Sequence, residues 1–391
     1  MSLTKRLMAY QVACLVACTG LLANCGGSSE GAGSKTSGNA PAFAYVSTSS
    51  TLTTYSVDSS TGELTPSAGA PLTFPVSTPT SGQIAIDPSG QLLYVIQASS
   101  VYGYAINPTT GALTAAPGSP FAMGVGPTAL AFDAAGTHLY IAGGEVPGDH
   151  LYVAGGEVPA DYANETVTAY SVANSGALTS LASYDVLGRV TTMATAGNYL
   201  YVGAVGFDSI TVYSIGSTGE LSVTPGSPYG TNLEPYSIAI DPSGAVLYVA
   251  NENVFTVNGS SGEYTSTFTI DSSTGALTPV AGIPTPATPN GLISIDPTGK
   301  FLFVPVTGGV SVFAINTATG AFATIPGAPF PDGAMPVSVS FDPRSRSVYV
   351  VNAGAANVSE FSLANSGTLT PLPGSPVAVG GTPTYMAVVG P

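Results

Sequence analysis

The chain has 391 residues, 44% hydrophobic and 7% charged, with 22 acidic against 7 basic side chains and a formal charge of −15. So acidic a balance repels nucleic acid and anionic lipid, which removes both as expected partners, and its plainest consequence is a well-solvated surface. The 48 glycines and 32 prolines fall at fixed places between β-branched and aromatic runs, so they read as turn chemistry and not as disorder.

Residues 1–24 read as an export signal. Lys5 and Arg6 form a short basic start, and Leu7 to Ala23 is an apolar stretch shorter than a comfortable membrane span. The segment ends in Leu22-Ala23-Asn24-Cys25, which resembles a bacterial lipoprotein cleavage box, with Asn24 where a small residue is usual. That resemblance implies lipidation of Cys25. An ordinary secretory signal with an incidental cysteine is the alternative. Residues 25–41 then form a Gly/Ser-rich tether with nothing to bury. Gly26 in place of an aspartate points the anchor toward the outer membrane, with the domain in the periplasm or at the cell surface. Cys14 and Cys18 lie inside the signal, so the exported domain carries no disulfide.

From residue 42 to 391 one pattern recurs seven times. An apolar run ends in Asp-Pro-Ser-Gly or a variant, Leu-Tyr-Val follows, then an alternating strand and a Thr-Gly-Ala-Leu turn. The turn glycines are Gly62, Gly111, Gly176, Gly219, Gly275, Gly320 and Gly367. A period near 46 residues with four short strands per unit is that of a propeller blade. The expected fold is therefore all-β, a seven-bladed β-propeller of four-stranded antiparallel blades. In the unit from Ser237 to Pro284, strands are expected at Ser237–Ile240, Val246–Ala250, Ser266–Ile270 and Ala276–Val280. Segments such as Pro-Gly-Ser-Pro at 117–120, 225–228 and 373–376 should break pairing after the fourth.

The two ends of this region complement each other. The first unit lacks an opening strand, since Phe43-Ala-Tyr-Val46 already matches a second strand. Pro383 to Val389 is a surplus opening strand, predicted to enter the first blade and close the ring. Two units are oversized. The third holds a near-duplicate, Leu139 to His150 then Leu151 to Tyr162, and the fifth holds Asn251 to Tyr264 between its second and third strands. Both insertions should crowd the face that carries the loops between blades, where function concentrates. A slippage duplication without function is the competing reading of the first.

Ile-Asp-Pro-Ser-Gly-x-x-Leu-Tyr-Val followed by Ser-Thr-Gly-Ala-Leu-Thr-Pro-x-x-Gly-Ser-Pro resembles the seven-bladed lactonase-like propellers, including the propeller-type 6-phosphogluconolactonases. The resemblance covers Phe43 to Pro391. It implies that a lactone hydrolase would work at the mouth of the central channel, using Gly-Pro-Arg-His or a similar entry to an inner strand. The matching places here read Gly126-Pro-Thr-Ala129, Glu234-Pro-Tyr-Ser237, Met335-Pro-Val-Ser338 and Thr382-Pro-Thr-Tyr385, with no Arg-His pair.

The candidate chemistry is sparse. A phosphosugar lactonase needs cations for the phosphate and a donor for the oxyanion. Lys300, Arg344 and Arg346 fall on the face opposite the insertions, which leaves Arg189 for the channel mouth. Glu234 occupies the corresponding entry of the next blade, so Arg189 and Glu234 are the candidate catalytic pair, Glu234 as general base, with a rim ion pair as the plain alternative. His138 reads as a turn residue and His150 as a loop residue. No metal-binding spacing and no cofactor motif stands out. The leading expectation is a monomeric, lipid-anchored binding module for a small molecule or a cell-envelope protein. Tyr236, Asn251, Glu252, Asn253, Asn290 and Tyr385 would supply contact area and adaptable hydrogen bonds. Hydrolysis of a lactone at the same mouth is the alternative.

Overall fold

The computed structural model describes residues 41–69, 71–75, 82–123, 126–145, 152–153, 156–157, 165–231, 233–252, 265–280, 289–343 and 347–390. Seven antiparallel sheets follow one another around a ring. In blade 5 the strands are Glu234–Ile240, Val246–Glu252, Thr265–Ile270 and Leu277–Pro279, in spatial order from channel to rim. The inner strand starts three residues earlier than its apolar run, because Pro235 sits where no ladder N–H is needed and a bulge follows between Pro235 and Ser237.

Each Asp-Pro-Ser-Gly turn is held by its own aspartate. Asp87 Oδ1 accepts the Gln91 and Leu92 amides at 2.8 and 2.6 Å, and Asp241 and Asp296 repeat the arrangement. The carboxylate thereby satisfies amides that open the second strand. In blade 3 the same turn recruits His138, whose Nδ1 lies 2.9 Å from Asp133 Oδ2. That places His138 in a structural role.

The core is divided between blades. One apolar cluster joins Ala85, Tyr94 and Ile96 of blade 2 to Leu130, Phe132 and Leu139 of blade 3. Others fill the junctions of blades 3 and 4, 4 and 5, 6 and 7, and 7 and 1. Second strands are apolar on both faces because both faces meet a neighbour. Their repeated tyrosine adds a polar latch: Tyr45, Tyr94, Tyr140, Tyr201, Tyr248 and Tyr349 each donate to the carbonyl of the next blade's turn glycine. Blade 6 has Phe303 at this position and no hydroxyl to give. The turn glycine must also pass close to its neighbour. A Cβ on Gly111, which has φ +70°, would fall 2.4 Å from Phe43 Cδ1.

Two features depart from the expected blade. After the Pro-Gly-Ser-Pro segment the chain does not simply leave the sheet. In blades 2, 4 and 7 two residues return to pair with the third strand. The serine explains how: Ser119, Ser227 and Ser375 Oγ accept the third-strand amides of Gly103, Val212 and Glu360 at 2.8–3.0 Å, replacing an acceptor lost where proline ends the outer strand. Blade 3 has no such proline, and its outer strand, Leu178–Val186, runs nine residues with a bulge opposite Ala169 and Tyr170.

The ring closes as the ends predict. Pro383–Val389 pairs with Ala42–Thr48, from Phe43 with Val389 to Ser47 with Tyr385. Of the duplicated insert, Tyr152–Val153 and Gly156–Glu157 form a small separate hairpin. Leu139–Glu145 of the first copy belongs to the second strand of blade 3, while residues 146–151, 154–155 and 158–164, and residues 253–264 of the fifth unit, lie outside the described residues.

Candidate functional site

The loops that enter the inner strands meet the ends of the second strands on one face, around the channel mouth. At this edge the inner strands of blades 1, 3, 4, 5 and 7 each carry an irregularity of register, at Thr384, Thr128, Thr191, Tyr236 and Val337. Four of these five irregular residues follow a proline, which lacks the donor that a regular ladder would demand there. Side chains then lace one inner strand to the next. Gln83 Oε1 accepts the Leu130 amide, Thr192 Oγ1 the Ile238 amide and Ser237 Oγ the Ile293 amide, at 2.8, 3.0 and 3.1 Å. The mouth is rigidly framed.

Arg189 opens the inner strand of blade 4, with 30% of its side chain exposed. Its Nε lies 3.9 Å from Oε1 of Glu165, the first residue of the third strand of blade 3. Glu165 is itself buried, and its Oε2 accepts the Val190 amide at 3.0 Å and the Thr128 hydroxyl at 3.2 Å. One carboxylate thus joins two inner strands and the arginine. Glu165 was not legible as a site residue, since it follows a long insertion that hides where the third strand resumes. Glu234 occupies the equivalent register position in blade 5, opposite Glu252, and its Oε2 is buried.

Beyond Glu234, buried acceptors lie behind the same edge. Asn251, at the end of the second strand of blade 5, is 1% exposed; its Nδ2 donates to Ser266 Oγ at 2.9 Å and its Oδ1 has no hydrogen-bond partner. Blade 7 repeats the device. Asn352 is fully buried, its Nδ2 donates to Ser359 Oγ and Asn357 Oδ1 at 2.8 and 2.9 Å, and its Oδ1 is again without a partner. Between them, on blade 6, exposed Asn290 donates to Thr307 Oγ1 at 2.7 Å. Tyr236 is the half-buried extra residue of the blade 5 bulge. Tyr385 is 6% exposed and lies in the apolar cluster with Phe43, Tyr45 and Phe74, against which Tyr236 also packs. Glu252 is described in its backbone alone, and Asn253 and Cys25 lie outside the described residues.

Asp332 is a second residue the sequence did not single out. It sits in the loop from the outer strand of blade 6 to the inner strand of blade 7. Both carboxylate oxygens are buried without a hydrogen-bond partner, and burial pushes its pKa up to about 6. The amides of Asp332 and Gly333 pull the other way without reaching hydrogen-bonding geometry. Pro-Asp-Gly reads as an ordinary exposed turn, and nothing local marks its carboxylate as covered. Among the described residues, no group of three or more His, Cys, Asp or Glu is arranged to hold a metal ion.

The family model described as "Lactonase, 7-bladed beta-propeller" matches residues 77–266 and 254–375. The chain belongs to this lactonase family. The solved structures it resembles include a candidate 6-phosphogluconolactonase from Bacteroides uniformis, at 16% identity and TM-score 0.71 over 90% of this chain and 100% of that one. The periplasmic gluconolactonase of Pseudomonas aeruginosa aligns at 18% identity and TM-score 0.64, over 89% and 98%. A functionally unknown protein from Desulfotomaculum acetoxidans aligns at 14% and 0.63, over 89% and 99%. At such identities the likeness is one of fold. No curated protein sequence gives a significant match.

Proposed function

We propose that this lactonase-family propeller is an exported, lipid-anchored binding module whose channel mouth takes a small, uncharged, hydroxyl-bearing molecule. The observation that carries the reading is the repeated asparagine device. In blades 5 and 7 the amide nitrogen is held by a serine, and the oxygen is left to accept. Buried acceptors are nearly always paired, so two equivalent open ones on one arc favour a ligand rich in donors. Tyr236 and Asn290 border the same arc.

Lactone hydrolysis is the second reading, favoured by family membership and by the name of the Pseudomonas neighbour. In that case Glu234 acts as general base on a water and Arg189 polarises the lactone carbonyl. A phosphorylated lactone fits poorly. The guanidinium of Arg189 already faces Glu165, and a desolvated phosphate without paired donors costs several kcal/mol.

A panel of lactones with and without phosphate, run on wild type, Arg189→Ala and Glu234→Gln, decides between the two. The expected result is calorimetric binding of glucono-δ-lactone with no turnover. Hydrolysis of an uncharged lactone that falls at least tenfold in both variants replaces binding by catalysis. Rapid hydrolysis of 6-phosphogluconolactone overturns the charge argument altogether.

A further inference from the structure

The corner where blade 6 passes the chain to blade 7 contains a carboxylate whose two oxygens are buried with no hydrogen-bond partner among the described residues. Asp332 lies in the short connection Phe330-Pro-Asp-Gly-Ala-Met-Pro336, which is pinned at both ends. Phe330 forms a bridge with Val310, and the Ala353 and Gly354 amides donate to the Met335 and Ala334 carbonyls at 3.0 Å. The connection lies directly on Asn352: a Cβ at Gly333 would fall 2.6 Å from Asn352 Nδ2. Met335 is held at φ +55° with its side chain 67% exposed, so the backbone here stores strain under an apolar cover.

Oδ1 and Oδ2 of Asp332 and, on Asn352 packed against the next residue, Oδ1 are buried with no hydrogen-bond partner among the described residues. Asn352 has no freedom to turn its amide nitrogen toward the aspartate, because that nitrogen is held by Ser359 and Asn357. Burial, with the Gly333 and Asp332 amides in opposition, sets the behaviour of Asp332, and among the described residues no charged side chain is seen to contribute. A carboxylate removed from water and left unpaired is strongly disfavoured.

We propose that Asp332 and Asn352 form a binding site for one monovalent cation, either an alkali-metal ion or the ammonium head of a primary amine. One positive charge matches one carboxylate, and an ammonium offers three donors to three open acceptors. A divalent ion would draw several carboxylates, which the corner lacks. The acidic chain concentrates cations at its surface. The site shares Asn352 with the acceptors proposed for the mouth, but its test reads cation-dependent stability and not lactone binding or turnover.

The test is thermal unfolding of the full chain at pH 8, with ionic strength held by choline chloride. Choline is then exchanged for sodium, potassium, ammonium or ethanolammonium chloride; the metal and amine arms separate the two sources. At least one of these should raise the melting temperature saturably, by about 2 °C near ten times the dissociation constant. The rise should disappear in Asp332→Asn, shrink in Asn352→Ser, and vanish in wild type at pH 5. Asp332→Asn keeps the size of the side chain, so it remains informative where Asn352→Ser loosens the blade. An equal response in wild type and Asp332→Asn, a response to calcium alone, or no difference from choline each overturns the proposal.

Discussion

Single side chains decide what the mouth can do. Asp332 gives a prediction that does not depend on any ligand. Its pKa is raised to about 6 by burial, so the folded state holds this proton more tightly than the unfolded chain does. Its contribution to stability is full below the unfolded value and is lost as pH rises through about 6. In choline buffer, Asp332→Asn should match wild type near pH 4 and be more stable at pH 8, by roughly 1 kcal/mol once partial solvent screening is allowed for. Urea unfolding at the two pH values checks this. A difference that does not change with pH assigns the effect to packing. Arg189 teaches the converse, because its partner turned out to be Glu165, a residue whose nearness depends on where a long insertion ends.

Within the elements, the repeated tyrosine of each second strand is what distinguishes blade from blade. Six of the seven junctions have a hydroxyl that reaches the next blade's turn glycine, and the junction after blade 6 has Phe303. Tyr94→Phe removes a buried 2.7 Å bond to the Gly176 carbonyl and should cost about 1–2 kcal/mol in denaturant unfolding, with the slope unchanged. Phe303→Tyr should move the midpoint the other way. If Tyr94→Phe is neutral, the latch is decoration and the apolar clusters alone hold the blades. The Pro-Gly-Ser-Pro segment is similarly explicable: proline stops the outer strand, and the serine oxygen takes the amide left over.

For the molecule as a whole, closure and attachment are separate questions. Closure rests on the pairing of Pro383–Val389 with Ala42–Thr48. Two further ties support it, Tyr349 to the Gly62 carbonyl and Glu360 Oε1 to the Leu64 amide at 2.6 Å. Glu360 is 1% exposed, and its burial, with Glu63 nearby, raises its pKa. Attachment is a proposal from the Leu-Ala-Asn-Cys25 box. Cells expressing the chain should incorporate a fatty-acid analogue into it, and Cys25→Ala should abolish that label. Label that survives the substitution removes the anchor, while a wild-type chain without label makes the segment an ordinary secretory signal.

The seven-fold repeat, the missing first strand and the surplus last one were sufficient for the sequence to determine the architecture. Each of these is a local pattern of turns and alternating apolar residues, and local patterns survive without knowledge of neighbours. The strand limits of blade 5 shifted by one to three residues, the largest shift coming where Pro235 permits a bulge. The mouth was legible in part. Asn251 was picked as a polar residue at a strand end, but not its twin Asn352, because the two become equivalent only when the blades are superposed. Tyr385 was expected on the rim and lies in the core, since its facing depends on the strand it joins, some 340 residues away in the chain. The Arg189–Glu165 contact and the covered carboxylate of Asp332 belong wholly to the tertiary structure. Both arise from burial and from the meeting of different blades, and neither has a signature within a few residues of sequence.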